Sequence, residues 1–137
     1  MAMTENTTDD EFVCAMSVRD YECDMQGVVN NSVYQNYLEH ARHEYLKTRG
    51  LDFATLTREG IIVVVVRAEI DYLQPLKSGD SIFVTAKPVL EKRIRLVFNQ
   101  SIRHSATGRE HVRARIVTTA VSERGRPYFP ESLNVLL

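Results

Sequence analysis

The chain has 137 residues, of which 44% are hydrophobic and 26% are charged, and its net charge is −1. This length predicts one domain with a substantial core. The near-neutral charge argues against a nucleic-acid-binding protein, which would show a basic stripe. No apolar run approaches the length of about 20 residues that spans a membrane, and the N-terminus lacks the basic-then-apolar pattern of a signal peptide. We therefore expect a cytoplasmic protein that does not bind membranes. Its two cysteines, Cys14 and Cys23, have no metal-ligand spacing and are expected to be reduced thiols.

The N-terminal part of the chain leads up to Gly27 in three steps. Residues 1–11 are polar and acidic, and we expect a flexible tail there, before a single domain over residues 12–137. Residues 12–21 alternate between apolar and polar side chains, which predicts a strand. A polar connector over residues 20–26 then precedes Gly27.

The longest periodic stretch covers residues 32–49 and predicts an amphipathic helix. Ser32 and Gln35 have the spacing of a capping box, so Ser32 is expected to cap the helix N-terminus. Gly50 is expected to follow the C-terminus in a left-handed conformation. The apolar residues that recur at three- and four-residue steps are Tyr34, Tyr37, Leu38, Ala41, Tyr45 and Leu46.

Four strands are predicted after a short helical turn over residues 51–60. The first, residues 61–73, begins with a run that is apolar on both faces, so we expect a central strand covered on both sides. The others cover residues 81–90, 95–103 and 112–122, with a hairpin at Ser105–Gly108, and a tail follows Arg124. One long helix and five strands predict an α+β fold in which the helix covers one face of a curved antiparallel sheet. The apolar surface left on residues 61–73 predicts an oligomer.

Three segments in this order resemble the 4-hydroxybenzoyl-CoA thioesterase family of hotdog-fold proteins. Asp24-Met-Gln-Gly-Val-Val-Asn-Asn-Ser-Val-Tyr34, followed by Glu39-His-Ala-Arg42, looks like the family's entry into its central helix. Residues 67–80 are similar to its second-strand segment, and Gly125-Arg-Pro127 to its exit from the last strand. The resemblance implies a hotdog fold, in which a long central helix is wrapped by a curved antiparallel sheet of about five strands. It also implies hydrolysis of an acyl thioester without metal or other cofactor.

The resemblance places the catalytic carboxylate at Asp24, in the loop before the helix. It implies a substrate carried by coenzyme A or acyl carrier protein, and the paired Asn30 and Asn31 look more like the acyl-carrier-protein branch of plants and cyanobacteria. Chemically, Asp24 could act as general base on water or attack the carbonyl itself. The backbone of residues 31–33 at the helix N-terminus could hold the oxyanion.

Each of these roles has a structural alternative. Asp24 could be a turn carboxylate, and Asn31, which could orient the water or the carbonyl, could simply cap the helix. The substrate-binding residues expected at the helix entry and along the helix are Gly27, Val28, Val29, Asn30, Ser32, Val33, Tyr34 and Arg42.

A basic cluster of Lys92, Arg93 and Arg95 is expected at the turn into the fourth strand. It could bind the phosphates of the carrier, or be an ordinary exposed charge cluster, since Glu91 lies among these residues. The His and Glu residues within residues 39–44 lack the zinc-protease spacing, so no metal site is expected.

Two other functions remain as alternatives to a thioesterase that works as a dimer or tetramer. One is an acyl-thioester-binding hotdog protein without turnover. The other is a hotdog dehydratase, which would want a His beside the catalytic Asp, whereas no His lies between Asp24 and Asn31.

Overall fold

A computed structural model describes residues 11–137. Its helices and strands, in chain order, are β1 (Phe12–Ser17), α1 (Asn31–Thr48), α2 (Phe53–Arg58), β2 (Ile62–Tyr72), β3 (Ser81–Glu91), β4 (Arg95–His104), β5 (Glu110–Val121) and β6 (Pro127–Tyr128). Short 3-10 helices lie at Asp20–Glu22 and Glu131–Leu136. The tail expected over residues 1–11 falls outside the described residues except for Glu11.

The described strands form one antiparallel sheet in the order β1-β3-β4-β5-β2, with β6 paired to β5. Strands β3, β4 and β5 pair in chain order as a meander, whereas β2 pairs with β5 and not with β3, the next strand in the chain. Helix α1 packs on one face of this sheet, and all six residues of its predicted apolar stripe are buried there. They contact apolar residues such as Val84 and Phe98, so the hydrophobic core lies between α1 and the sheet. The arrangement of one long helix against a curved sheet confirms the predicted fold class.

Strand β1 ends at Ser17, earlier than the predicted residue 21. The chain leaves the sheet because the Glu22 carboxylate accepts a hydrogen bond from the Arg19 N–H at 2.9 Å, which closes a 3-10 turn. The other predicted strand bounds agree to within two residues. Of the helices within residues 11–137, none is both long and apolar enough to cross a lipid bilayer.

The expectation that residues 61–73 form a central, doubly covered strand is wrong. Strand β2 is an edge strand, paired only with β5 among the described strands. Val65 and Val66 at its middle are 51% and 46% exposed, and a β-bulge interrupts the pairing between Val65 and Arg67. A run that is apolar on both faces therefore does not by itself show that the same chain covers both faces.

The C-terminal segment was predicted to be a tail, but it packs against the core. Leu133 and Leu136 are buried in the core, and the Tyr45 hydroxyl donates a hydrogen bond of 2.7 Å to the Leu136 carbonyl. The segment therefore closes the open end of the core beside the C-terminal half of α1.

Candidate functional site

The loop before α1 is a miniature hairpin. Cys23 and Val29 form an antiparallel bridge, and the Asp24 N–H donates to the Val28 carbonyl at 2.9 Å. Gly27 turns the chain at a φ of +82°, a left-handed conformation that glycine adopts without strain. A Cβ at this position would meet nothing within 4 Å, so Gly27 is required by the backbone conformation and not by crowding.

The Asp24 side chain lies inside this hairpin turn and is exposed to solvent. Its Oδ1 accepts from the Gln26 N–H at 2.8 Å and from the Val28 N–H at 3.4 Å. Its Oδ2 has no hydrogen-bond partner within residues 11–137. One oxygen of Asp24 therefore has the structural role of a turn carboxylate. The second oxygen is available to water or substrate.

The helix N-terminus is capped by Asn30 and not by Ser32, so the predicted capping box is wrong. The Asn30 side-chain oxygen accepts from the Ser32 N–H at 3.2 Å, and helix α1 begins at Asn31. Asn30 directly precedes the helix, so its short side chain reaches the N–H groups of the first turn. Ser32 is the second residue of the helix and is too far along to cap it. The Ser32 hydroxyl also bonds to Asn30 Oδ1, at 3.2 Å.

These contacts use two of the three backbone donors that the sequence suggested for an oxyanion. The Ser32 N–H is bonded to the Asn30 side chain, and the Val33 N–H donates to the Asn30 carbonyl at 2.9 Å. The Asn31 N–H has no acceptor in the part of the chain that the structure describes. Of the three expected donors, the Asn31 N–H is therefore the one that is still available to an oxyanion, and it lies at the positive end of the helix dipole.

A cavity of about 210 Å³ lies beside the helix entry and is lined by several of the predicted residues. Val28, Val29, Asn31 and Tyr34 line one side of it. The opposite side is formed by residues 72–75 at the end of β2, which the sequence did not suggest for the site. The Val29 N–H bonds to the Leu76 carbonyl at 2.8 Å, which brings this segment to the loop. Such a long-range backbone bond leaves no signal in the sequence.

Tyr34 holds this wall in place, because its hydroxyl accepts a hydrogen bond from the Leu76 N–H at 3.0 Å. Burial raises the pKa of the Tyr34 hydroxyl above its ordinary value. The ring also packs against Tyr72, with centroids 5.5 Å apart. Val33 is half-buried and packs toward the core rather than into the cavity.

Arg42, another predicted substrate-binding residue, lies away from this cavity. It is eleven residues beyond Asn31, about 16 Å along the helix axis, and is 8% exposed. Its Nη1 donates to Gln100 Oε1 at 3.0 Å, and burial lowers the pKa of its guanidinium. It lines a separate groove of about 220 Å³ between α1 and β2.

The basic cluster lies farther still. Lys92 and Arg93 form the turn between β3 and β4, with φ values of 50° and 67°, and Arg95 begins β4. The Asp24 loop is attached at the other end of β3, where the Val18 N–H bonds to the Asp80 carbonyl at 2.9 Å. The eleven residues of β3 separate the two regions by about 35 Å. One copy of the chain therefore does not bring this cluster to Asp24.

Metal binding has no obvious place in the part of the chain that is described. Within residues 11–137, no three His, Cys, Asp or Glu side chains are grouped so that they could hold a metal ion. The groups at the helix entry are a carboxylate, an amide and backbone donors, which suit a reaction that moves protons and stabilises a developing negative charge.

Known proteins with similar sequences include named thioesterases. The chain is 39% identical over 87 residues to a chloroplastic acyl-acyl carrier protein thioesterase of Arabidopsis thaliana, which covers 64% of this chain and 46% of that protein. The chain thus spans about half the length of the Arabidopsis relative.

Solved structures share the fold over nearly the whole chain. A 1,4-dihydroxy-2-naphthoyl-CoA thioesterase from Synechocystis superimposes with a TM-score of 0.86 at 19% identity, covering 92% of this chain and 94% of that one. A hypothetical protein from Aquifex aeolicus superimposes with a TM-score of 0.84 at 28% identity, covering 92% and 99%. The expected hotdog fold is confirmed. The sequence profile of the thioesterase-like superfamily matches residues 18–136, and the chain belongs to that family.

Proposed function

We propose that this protein hydrolyses an acyl thioester to a free acid and a thiol, using Asp24 and the N-terminus of α1. The observation that carries the proposal is the Asp24 carboxylate. Backbone N–H groups fix its Oδ1, while Oδ2 has no partner among the described residues. The same hairpin contributes Val28 and Val29 to the cavity at the helix entry. Asp24 itself is not among the residues that line this cavity. A carboxylate fixed by backbone donors on the hairpin that lines the cavity is suited to acid–base or nucleophilic work.

In the general-base route, Asp24 takes a proton from a water molecule as that water attacks the thioester carbonyl. The negative charge that develops on the carbonyl oxygen is stabilised by the Asn31 N–H, at the positive end of the helix dipole. Collapse of the tetrahedral intermediate breaks the C–S bond and releases the thiolate, which takes up a proton. In the nucleophilic route, the Asp24 carboxylate attacks the carbonyl, and the C–S bond breaks to release the thiolate and leave a mixed anhydride. Water then hydrolyses the anhydride to the free acid and restores the Asp24 carboxylate.

The surroundings of the two asparagines support different roles for them. Asn30 is occupied as the helix cap. The exposed Asn31 side chain lines the cavity and makes no hydrogen bond to any residue in 11–137. Asn31 therefore has a free amide that can orient the water or the carbonyl, and capping does not require it.

The acyl group is proposed to enter the cavity between the helix entry and the end of β2. Its walls include Val28, Val29, Tyr34 and Tyr72, whose apolar surfaces suit an acyl chain or an aromatic acyl group. Gly27, Asn30, Ser32 and Val33 shape this entry through the backbone.

The carrier in this proposal is coenzyme A or acyl carrier protein. The similarity to the Arabidopsis acyl-acyl carrier protein thioesterase supports the protein carrier. The loop also presents Tyr21 and Met25, which are 80% and 103% exposed, beside Asp24. In this proposal, these two side chains contact the protein carrier.

We also propose that the protein works as a homodimer or a tetramer. The unpaired edge of β2 exposes Ile62, Val64, Val65 and Val66. An apolar edge strand is a template for pairing with another strand, and a second copy of β2 offers the same surface. Assembly could also bring Lys92 or Arg93 of one copy toward another copy's Asp24.

The proposal is tested by a hydrolysis screen with purified protein. Acyl-CoA and acyl-acyl carrier protein substrates of increasing chain length are incubated with the protein, and the free thiol is measured. We expect thiol release from at least one series, and release at least about a hundredfold slower with Asp24→Asn. Binding of the thioesters without thiol release would favour the non-catalytic alternative, and formation of an enoyl thioester would favour the dehydratase.

A further inference from the structure

A part-buried hydrogen bond ties the loop that carries Asp24 to the first half of α1. The Tyr37 hydroxyl donates to Glu22 Oε1 at 2.6 Å. Tyr37 is 1% exposed, and the Glu22 side chain is 10% exposed. Burial raises the pKa of Tyr37 well above its ordinary range, so the hydroxyl keeps its proton and remains a donor.

Glu22 also holds the two sides of the loop together. Its carboxylate accepts from the Arg19 N–H and from Arg19 Nη1, both at 2.9 Å, at the point where the chain leaves β1. Its backbone carbonyl accepts from the Asn30 N–H at 3.1 Å, at the start of α1. Glu22 therefore links the end of β1, the helix N-terminus and the helix interior.

Asp24 is two residues from this junction and is rigidly connected to it. The intervening Cys23 is paired with Val29, and Asp24 itself is bonded to Val28. Tyr37 lies six residues into α1 from Asn31, so it is attached to the same rigid helix that presents the Asn31 N–H. The contact between Glu22 and Tyr37 thus joins the segment that carries Asp24 to the helix that begins at Asn31.

We propose that Glu22 and Tyr37 are positioning residues that hold Asp24 in register with the N-terminus of α1 during thioester hydrolysis. This inference rests on the proposed function. Neither side chain touches the substrate. They act by fixing the separation of two groups that must reach the same carbonyl, and displacing reacting groups by about 1 Å can cost about a hundredfold in rate.

The primary test is Tyr37→Phe, with Tyr45→Phe as a matched control. Both tyrosines are buried on the core side of α1, and both donate one hydrogen bond, but the Tyr45 hydroxyl bonds to Leu136 at the far end of the helix. We expect Tyr37→Phe to lower kcat at least about tenfold with KM changed less than about threefold. The control should lose a similar amount of thermal stability and keep kcat within about twofold.

Glu22 provides a rescue experiment. Glu22→Gln keeps an oxygen that can accept from the Tyr37 hydroxyl and should retain most of kcat, whereas Glu22→Ala should lose as much as Tyr37→Phe. If Tyr37 acts through Asp24, adding Tyr37→Phe to Asp24→Asn should cause little further loss. Full additivity of the two losses would overturn the inference, as would equal kcat values for Tyr37→Phe and the Tyr45→Phe control.

Amide hydrogen exchange tests the same contact without any hydrolysis. Tyr37→Phe should speed exchange of the Asp24 and Asn30 amides, which bond within the loop, and Tyr45→Phe should leave them unchanged. Unchanged exchange in Tyr37→Phe would refute the positioning role even in an active enzyme. Faster exchange combined with an active Asp24→Asn variant would support the contact and would instead refute the proposed function of Asp24.

Discussion

Replacing Asp24 by asparagine separates its chemical role from its structural role. The Asn side chain keeps an oxygen in place of Oδ1, so it can still accept from the Gln26 and Val28 N–H groups that define the turn. Each neutral hydrogen bond contributes about 1 kcal/mol, and both are retained, so we expect the free energy of unfolding to change by less than about 1 kcal/mol. The amide nitrogen, however, is neither a base nor a nucleophile.

The kinetic loss should be much larger than the stability loss. General-base and nucleophilic groups contribute about 10² to 10⁴ in rate, so we expect kcat to fall at least about a hundredfold, or about 2.7 kcal/mol of transition-state stabilisation. Steady-state thiol release and urea unfolding are measured on the same preparations. Asp52→Asn is the matched control, because Asp52 is a capping aspartate whose Oδ1 accepts from the Thr55 N–H at 2.7 Å, far along the chain from the loop. An Asp24→Asn variant with near-wild-type kcat would refute the assignment.

Three further predictions concern the helix entry, the sheet edge and His43, a partly exposed histidine on α1. Asn30→Ala should cost about 1 kcal/mol of stability through loss of the cap, whereas Asn31→Ala should leave urea unfolding nearly unchanged and reduce kcat/KM; the reverse pattern would contradict the assigned roles. The protein should sediment as a dimer or tetramer at micromolar concentration, and Val66→Lys on the exposed edge of β2 should shift it toward monomer; a folded wild-type monomer would contradict the proposed assembly. Burial lowers the pKa of His43 in the folded state, so the unfolded chain takes up a proton first and stability should fall as the pH drops below about 6.5. His43→Gln should flatten that part of the urea-midpoint profile, and an unchanged slope would contradict it.

The sequence predicted the elements well where the pattern is local. The period of α1 identified its buried face, and the alternation and turn residues located β3, β4 and β5 to within two residues. These features depend on neighbouring residues in the chain, so the sequence contains them directly. The motifs around Asp24 and Arg42 supplied the fold family.

The errors occurred where the decisive partner is distant in the chain. Strand β2 was expected to be central because its valines are apolar on both faces, but hydrophobicity does not reveal which molecule covers a face. The C-terminal segment was expected to be a tail, yet Leu133 and Leu136 complete the core. Both outcomes are set by tertiary packing.

The candidate site was also predicted only where the signal is local in the sequence. Asp24 and Asn31 were suggested by the resemblance and by the chemistry of a helix N-terminus. Two further features required three-dimensional contacts: the wall formed by residues 72–75 and the hydrogen bond between Glu22 and Tyr37. Ser32 and Asn30 are both good capping residues, and only the backbone geometry shows that Asn30 caps the helix.

The most direct test of the central claim is product analysis in ¹⁸O-labelled water. Wild-type protein is incubated with the best-bound acyl thioester, and the acid and the thiol are quantified by mass spectrometry. Hydrolysis predicts equal amounts of free acid and thiol, with label from the water in the acid after several turnovers. A thioester that is bound and recovered intact, or converted without release of thiol, would contradict the account.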